Sequence, residues 1–139
     1  MRELPRQLSA EELAPLFSGR TRLVDALAGH ERPLEVAEEV ALGLAEDDQV
    51  AALATHPRIG EPSEEQRGAE PEVLAELERL NEEYERRFGF SFVVFVNGRT
   101  RAELVPVLRE RLARTRAEEL ETGLRALCEI ARDRWTRTT

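Results

Sequence analysis

The chain has 139 residues, with 20 basic and 28 acidic side chains and a net charge of −8. Every basic side chain is arginine, which excludes a Schiff-base lysine and a P-loop lysine. The one cysteine, Cys128, excludes an intramolecular disulfide, a Cys-x-x-Cys redox pair and a multi-cysteine zinc site. From the amino terminus, Ser9-Ala10-Glu11-Glu12 has the form of a capping box and opens a short amphipathic helix carrying Leu13, Leu16 and Phe17. A second short helix is expected from Thr21 to Gly29, with Leu23, Val24 and Leu27 inward. Pro33 suits the first turn of a third helix, whose apolar positions are Val36, Ala37, Val40, Ala41 and Leu44. Glu46-Asp47-Asp48 puts acids at the positive end of a fourth helix, which Val50, Ala51, Leu53 and Ala54 carry to His56-Pro57.

Residues 58–69 hold Gly60, Pro62 and Gly68 and read as a loop. Pro71 then opens a long helix with Val73, Leu74, Leu77, Leu80, Tyr84 and Phe88 at helical spacing, and Gly89 stops it. Residues 90–96 (FSFVVFV) have strand-like composition and precede an Asn97-Gly98 turn, yet no second strand follows. An isolated strand cannot satisfy its ladder, so a short buried extended segment or a helix end in a helical protein is expected. Thr100-Arg101-Ala102-Glu103 is a second capping box, opening a helix that Pro106 should kink; a final helix runs from about Ala117 to Trp135. The expected fold is all-α, one multihelical domain over residues 1–139.

The acidic balance argues against nucleic acid as a partner, because phosphate contacts need a basic face. No apolar run is long enough to span a membrane. The start, Met1-Arg2-Glu3-Leu4-Pro5-Arg6, lacks the apolar core of a secretory signal, so a cytoplasmic location is expected. With His30 and His56 the only histidines, a His-rich metal centre is not expected. The exclusive use of arginine points to a biased genome more than to function.

Three places can carry chemistry. Pro57 disfavours helix at His56, leaving an imidazole at a helix end; it serves either as a capping group near the negative end of the dipole or as a proton carrier near neutral pH. Ser63 and Gln66 fit a capping box, and the same helix start would hold Glu65 in a defined position, so His56, Ser63, Glu65 and Gln66 together could form a small polar pocket. Arg134 continues the seven-residue spacing of Leu120 and Leu127, so it points where a core leucine should. It then pairs with a partly buried glutamate, awaits an anionic ligand, or reaches solvent near the chain end. Cys128, beside Leu124 and Leu127, reads as buried and inert, and His30 as a loop residue.

His56-Pro57, the serine before Glu65-Gln66, Leu80-Asn81-x-x-Tyr84-x-x-Arg87-Phe88-Gly89-Phe90-x-Phe92-Val93-Val94 and Arg134, taken in this order, carry a family likeness. It resembles the OHCU decarboxylase family, where OHCU is 2-oxo-4-hydroxy-4-carboxy-5-ureidoimidazoline. The likeness runs over nearly the whole chain, and Arg-Phe-Gly-Phe is its most specific part. It implies an all-helical enzyme without a cofactor, usually a homodimer, that decarboxylates OHCU to (S)-allantoin in urate breakdown. By matching position it implies His56 as the catalytic histidine and Glu65 as its acidic companion. Pro57, Ser63 and Gln66 would line the substrate pocket and Arg134 would contact the substrate. Phe92, Val93, Val94, Phe95 and Val96 would supply pocket wall and backbone hydrogen bonds. The chain departs from the family pattern at Arg58, where an acid is common, and at Ser63, which lies three residues before Gln66 rather than four. The loop between Pro57 and Ser63 is short, and Ser91 replaces a proline. Two other readings stay open. One is a related enzyme on a different ureido or imidazolinone substrate. The other is a helical interaction module, which predicts that His56, Glu65 and Arg134 point apart.

Overall fold

A computed structural model describes residues 3–56 and 71–137. Pro57, Arg58, Ser63, Glu65 and Gln66 lie outside them. The described residues form seven α-helices and one 3-10 turn, with no strand, so the fold is all-α.

Helix α1 (Ala10–Leu13) starts at the expected capping box: the Glu12 N–H donates to Ser9 Oγ at 3.1 Å, and the Ser9 N–H donates to the Glu12 carboxylate at 3.0 Å. Pro15 lacks the N–H that would extend α1, and the chain tightens into a 3-10 turn over Ala14–Phe17. Ser18 ends that turn in the left-handed region at φ 62°. Helix α2 (Arg22–Leu27) is shorter at both ends than expected. Helix α3 (Pro33–Leu42) ends at Gly43, which leaves Leu44 half-buried beyond it. Helix α4 (Glu46–Ala54) delivers Thr55 and His56 at its end.

Helix α5 (Pro71–Phe88) is the long amphipathic helix of the spacing, and Gly89 stops it at φ 80°. Helix α6 (Arg101–Leu112) begins at the Thr100 capping box and runs unbroken through Pro106. Pro106 and Ala102 are exposed, so water can serve the carbonyl that the proline leaves without a donor. Helix α7 (Arg116–Arg137) packs against α3, α4 and the 3-10 turn, while α5 pairs with α6. Leu124, Leu127, Cys128 and Ala131 of α7 join Leu23, Leu27, Leu34 and Leu53 in the core. Gly123 lets α4 come close, since a Cβ there would sit 3.3 Å from a Leu53 methyl.

Residues 90–96 form neither helix nor strand and are largely buried. Phe92, Val93 and Val94 are buried; Phe95 and Val96 are half-buried. Buried carbonyls need donors, and here arginines supply them. Arg111 Nη1 donates to Val93 O at 2.8 Å, and Arg99 donates to Phe95 O at 2.6 Å and Val96 O at 3.1 Å. Just upstream, Arg116 Nε donates to Phe88 O at 2.8 Å. The rings of Phe88, Phe90 and Phe92 surround Tyr84 with centroids 4.6 to 6.0 Å away. Asn97 and Gly98 both take positive φ and close a turn from Val96 O to the Arg99 N–H, and a helix follows in place of a second strand.

Candidate active site

The ends of α4 and of the 3-10 turn and the last turns of α7 meet around His56. The Thr55 hydroxyl at the end of α4 donates to Phe17 O at 3.0 Å and to Ala52 O at 2.9 Å, pinning α4 to the 3-10 turn. A Cβ on Gly19 would lie 3.4 Å from the Thr55 methyl, so the chain after Ser18 passes close by. From α7, Arg134 Nη1 donates to Leu16 O at 3.0 Å, Pro15 O at 3.3 Å and Ser18 Oγ at 2.8 Å. The carbonyl end of a helical turn is where a cation is favoured. The inward Arg134 of the sequence therefore finds acceptors in the 3-10 turn, and the partners expected for it did not include these carbonyls.

His56 is half-buried beside this contact, and its ring atom Nε2 is buried with no hydrogen-bond partner among the described residues. Burial lowers its pKa from 6.5 to about 4, and the positive charge of Arg134 adds to the effect. The imidazole is neutral at neutral pH. It can accept a proton and then return it, and no described residue competes for its Nε2.

The structure thus brings His56 and Arg134 together from 78 positions apart in the chain, 134 − 56. Phe92, Val93, Val94, Phe95 and Val96 are held by α5, α6 and Arg99. Cys128 is buried, and burial pushes its thiol up to about 12, in keeping with an inert core position. A cavity of about 420 Å³ lies between Leu42, Gln49, Leu120 and Leu124, with Glu46 and Arg116 at its rim. It sits at the starts of α4 and α7, the opposite ends of those helices from His56 and Arg134. Among the described residues no group of three or more His, Cys, Asp or Glu side chains is placed to hold a metal ion. No described helix is long and apolar enough to cross a membrane.

Sequence reasoning missed the supports. Ser18 and Thr55 carry no motif. A buried cluster was also missed: the Glu119 carboxylate, fully buried, accepts from Tyr84 and Arg111 at 2.7 Å each and from Arg114 at 2.9 Å. Its signal was available, because Arg111 follows Leu104 and Leu108 on the inner stripe of α6, just as Arg134 follows Leu127 on α7.

Comparison with known proteins agrees with this frame. A family model described as OHCU decarboxylase matches residues 3–136. The uric acid degradation bifunctional protein PucL of Bacillus subtilis is 32% identical over 100 residues, covering 63% of this chain and 20% of that protein. The 2-oxo-4-hydroxy-4-carboxy-5-ureidoimidazoline decarboxylase of Haloferax volcanii is 31% identical over 97 residues, covering 61% and 58%. The aligned part is thus about a fifth of the bifunctional relative and under two thirds of the Haloferax protein. A crystal structure of OHCU decarboxylase in the presence of (S)-allantoin superposes with a TM-score of 0.72 at 25% identity, covering 83% of this chain and 88% of that one. A crystal structure of (S)-allantoin synthase shares the fold, with a TM-score of 0.69 at 20% identity over 93% of this chain and 50% of that one. With its helical frame matched in solved structures and a family model running almost from end to end, the chain belongs to the OHCU decarboxylase family.

Proposed function

We propose that the protein is a carboxy-lyase that converts OHCU to (S)-allantoin in urate degradation, with His56 as the proton carrier. The observation that carries this reading is the neutral, unpartnered Nε2 of His56 beside Arg134, in a chain of this family. In OHCU the carboxylate sits on the carbon that also bears a hydroxyl, next to the ring carbon that bears the ureido group. When the carbon–carboxylate bond breaks, its electron pair can pass into the adjacent ring C=N, whose nitrogen takes up a proton, and carbon dioxide leaves. That gives an enol. Neutral His56 takes the hydroxyl proton, the hydroxyl carbon becomes a carbonyl, and the imidazolium returns a proton to the ureido-bearing carbon on one face. The net change is one proton gained and one carbon dioxide lost. No external electron sink is needed.

Arg134, anchored on the 3-10 turn, supplies a fixed positive charge to orient the anionic substrate. Glu65 is proposed to orient His56 or hold a ureido N–H. Pro57, Ser63, Gln66 and residues 92–96 are proposed as pocket wall. The whole chain is read as one such domain, working without a cofactor in the cytoplasm as a homodimer. The convergence of His56 and Arg134 weighs against a helical interaction module, for which they should point apart.

A coupled assay tests the reading. Urate oxidase and hydroxyisourate hydrolase generate OHCU in place, and circular dichroism follows chiral allantoin. Fast growth of the (S)-allantoin signal is expected, reduced about 10²–10⁴-fold in His56→Ala. Slow racemic allantoin that the protein does not change would reject OHCU as substrate and favour another ureido compound, with Arg58 as the place to look.

A further inference from the structure

The least expected feature of the core is that an ion cluster holds a stretch of irregular backbone. Glu119 of α7 is fully buried and takes three donors: Tyr84 of α5, Arg111 of α6, and Arg114 just beyond α6. Arg111 is itself 7% exposed. Its Nε is spent on Glu119, its Nη1 on Val93 O at 2.8 Å, and its guanidinium lies 4.5 Å above the Phe92 ring. Two directed hydrogen bonds and a stacked face fix one rigid plane in all directions, which a lysine ammonium could not do. Burying such ions is a poor route to stability, since well-packed apolar residues of similar volume commonly do as well or better. Residues 90–96 meanwhile have no strand partner to set their register.

We propose that Glu119, Arg111 and Tyr84 are positioning residues for the site: the carboxylate sets the Arg111 guanidinium, and Arg111 sets the Val93 carbonyl and so the backbone of residues 92–96 against which substrate packs. This rests on the reading of residues 92–96 as pocket wall given above. Burial, and then the bond to Glu119, push the Tyr84 phenol well above its ordinary range, so it stays protonated and donating. None of the three is assigned contact with substrate; they act through the segment.

The test uses the full chain as wild type, Arg111→Lys and Tyr84→Phe. Val93-Val94 is the only Val-Val pair in the sequence. Valine labelled with carbonyl ¹³C and amide ¹⁵N therefore gives one coupled signal, which reports the Val93 carbonyl directly. In Arg111→Lys that signal should move. KM for OHCU should rise about 10-fold or more, with a smaller change in kcat and a lower enantiomeric purity of the allantoin. Tyr84→Phe keeps both arginines on Glu119 and should move the same readouts in the same direction by less, about 2- to 3-fold in KM. A folded Arg111→Lys protein whose carbonyl signal is unmoved overturns the proposal, and so does one whose signal moves while KM and enantiomeric purity stay at wild type. If Arg111→Lys does not fold, Tyr84→Phe decides by the same criteria. Wild-type protein that leaves OHCU untouched sinks the functional reading separately, and the carbonyl signal alone then decides whether Arg111 sets Val93.

Discussion

Replacing Arg134 with methionine separates the two forces acting on His56. The interval between the ordinary 6.5 and about 4 corresponds to roughly 3 kcal/mol against protonating the ring, an upper value because the ring is partly solvated. Burial is the larger cause, so Arg134 accounts for less than half, and its loss should raise the midpoint by no more than about one pH unit. The midpoint stays below 6.5 because the ring is still buried. The sign for stability follows. Between about 4 and 6.5 the unfolded chain binds a proton at His56 and the folded chain does not, so stability rises with pH through that window. The contribution is complete above 6.5 and is lost as the pH falls to about 4; in Arg134→Met the window narrows from its acid side. The variant also loses the bonds to Leu16 O and Ser18 Oγ, roughly 1–2 kcal/mol for a charged donor in a part-buried setting, at every pH. Proton NMR of the His56 ring gives the midpoint, with exposed His30 as the second signal, and urea unfolding at neutral and at mildly acid pH gives the linkage. A wild-type His56 that titrates near 6.5, or a midpoint that Arg134→Met leaves in place, refutes the argument.

Two further predictions concern the frame. Glu119→Leu leaves Arg111 buried without its counter-charge and should destabilise the protein by about 3–5 kcal/mol in urea unfolding. Adding Arg111→Met should recover much of that stability while the KM for OHCU stays high, because the hold on Val93 is gone. Gly89→Ala meets no atom within 4 Å, so its penalty is purely that of a side chain at φ 80°, about 1–2 kcal/mol, visible as a lower melting temperature.

The helices were legible in the sequence wherever a local signal sets their ends. Ser9, Thr100, Pro33 and Gly89 each mark a boundary by chemistry within one turn, and the structure starts or stops a helix there. That residues 90–96 are largely buried yet belong to no sheet was legible from composition and from the lack of a second strand. What satisfies that segment was not, because one donor, Arg111, lies 18 residues on in α6, and the other, Arg99, is turned back onto Phe95 and Val96 only by the Asn97-Gly98 turn. Arg134 was legible as an inward arginine from its spacing. Its acceptors were not, because they exist only once Pro15 forces a 3-10 turn more than a hundred residues upstream. Glu119 escaped notice for a different reason: in the Glu-rich start of α7 it looks like one more solvated carboxylate, and only Arg111 on the stripe of Leu104 and Leu108 betrays that something acidic must be buried opposite.

The absence of lysine takes on a structural meaning in this light. Where the chain is irregular, turns through a 3-10 segment or ends a helix, its carbonyls lose the regular N–H partners of an α-helix, and guanidinium groups take them. Arg99 serves Phe95 and Val96, Arg111 serves Val93, Arg116 serves Phe88, and Arg134 serves Pro15 and Leu16. Arg111 and Arg116 each add a carboxylate, Glu119 and Glu46, and each lies against an aromatic ring, Phe92 and Phe90. A forked, permanently charged donor can bond a carbonyl and a carboxylate in one plane while its face packs on a ring; a lysine ammonium has neither the plane nor the face. The bias toward arginine therefore need not come from the genome alone: at these positions the fold uses what only arginine offers, and one of them, Arg134, stands beside His56.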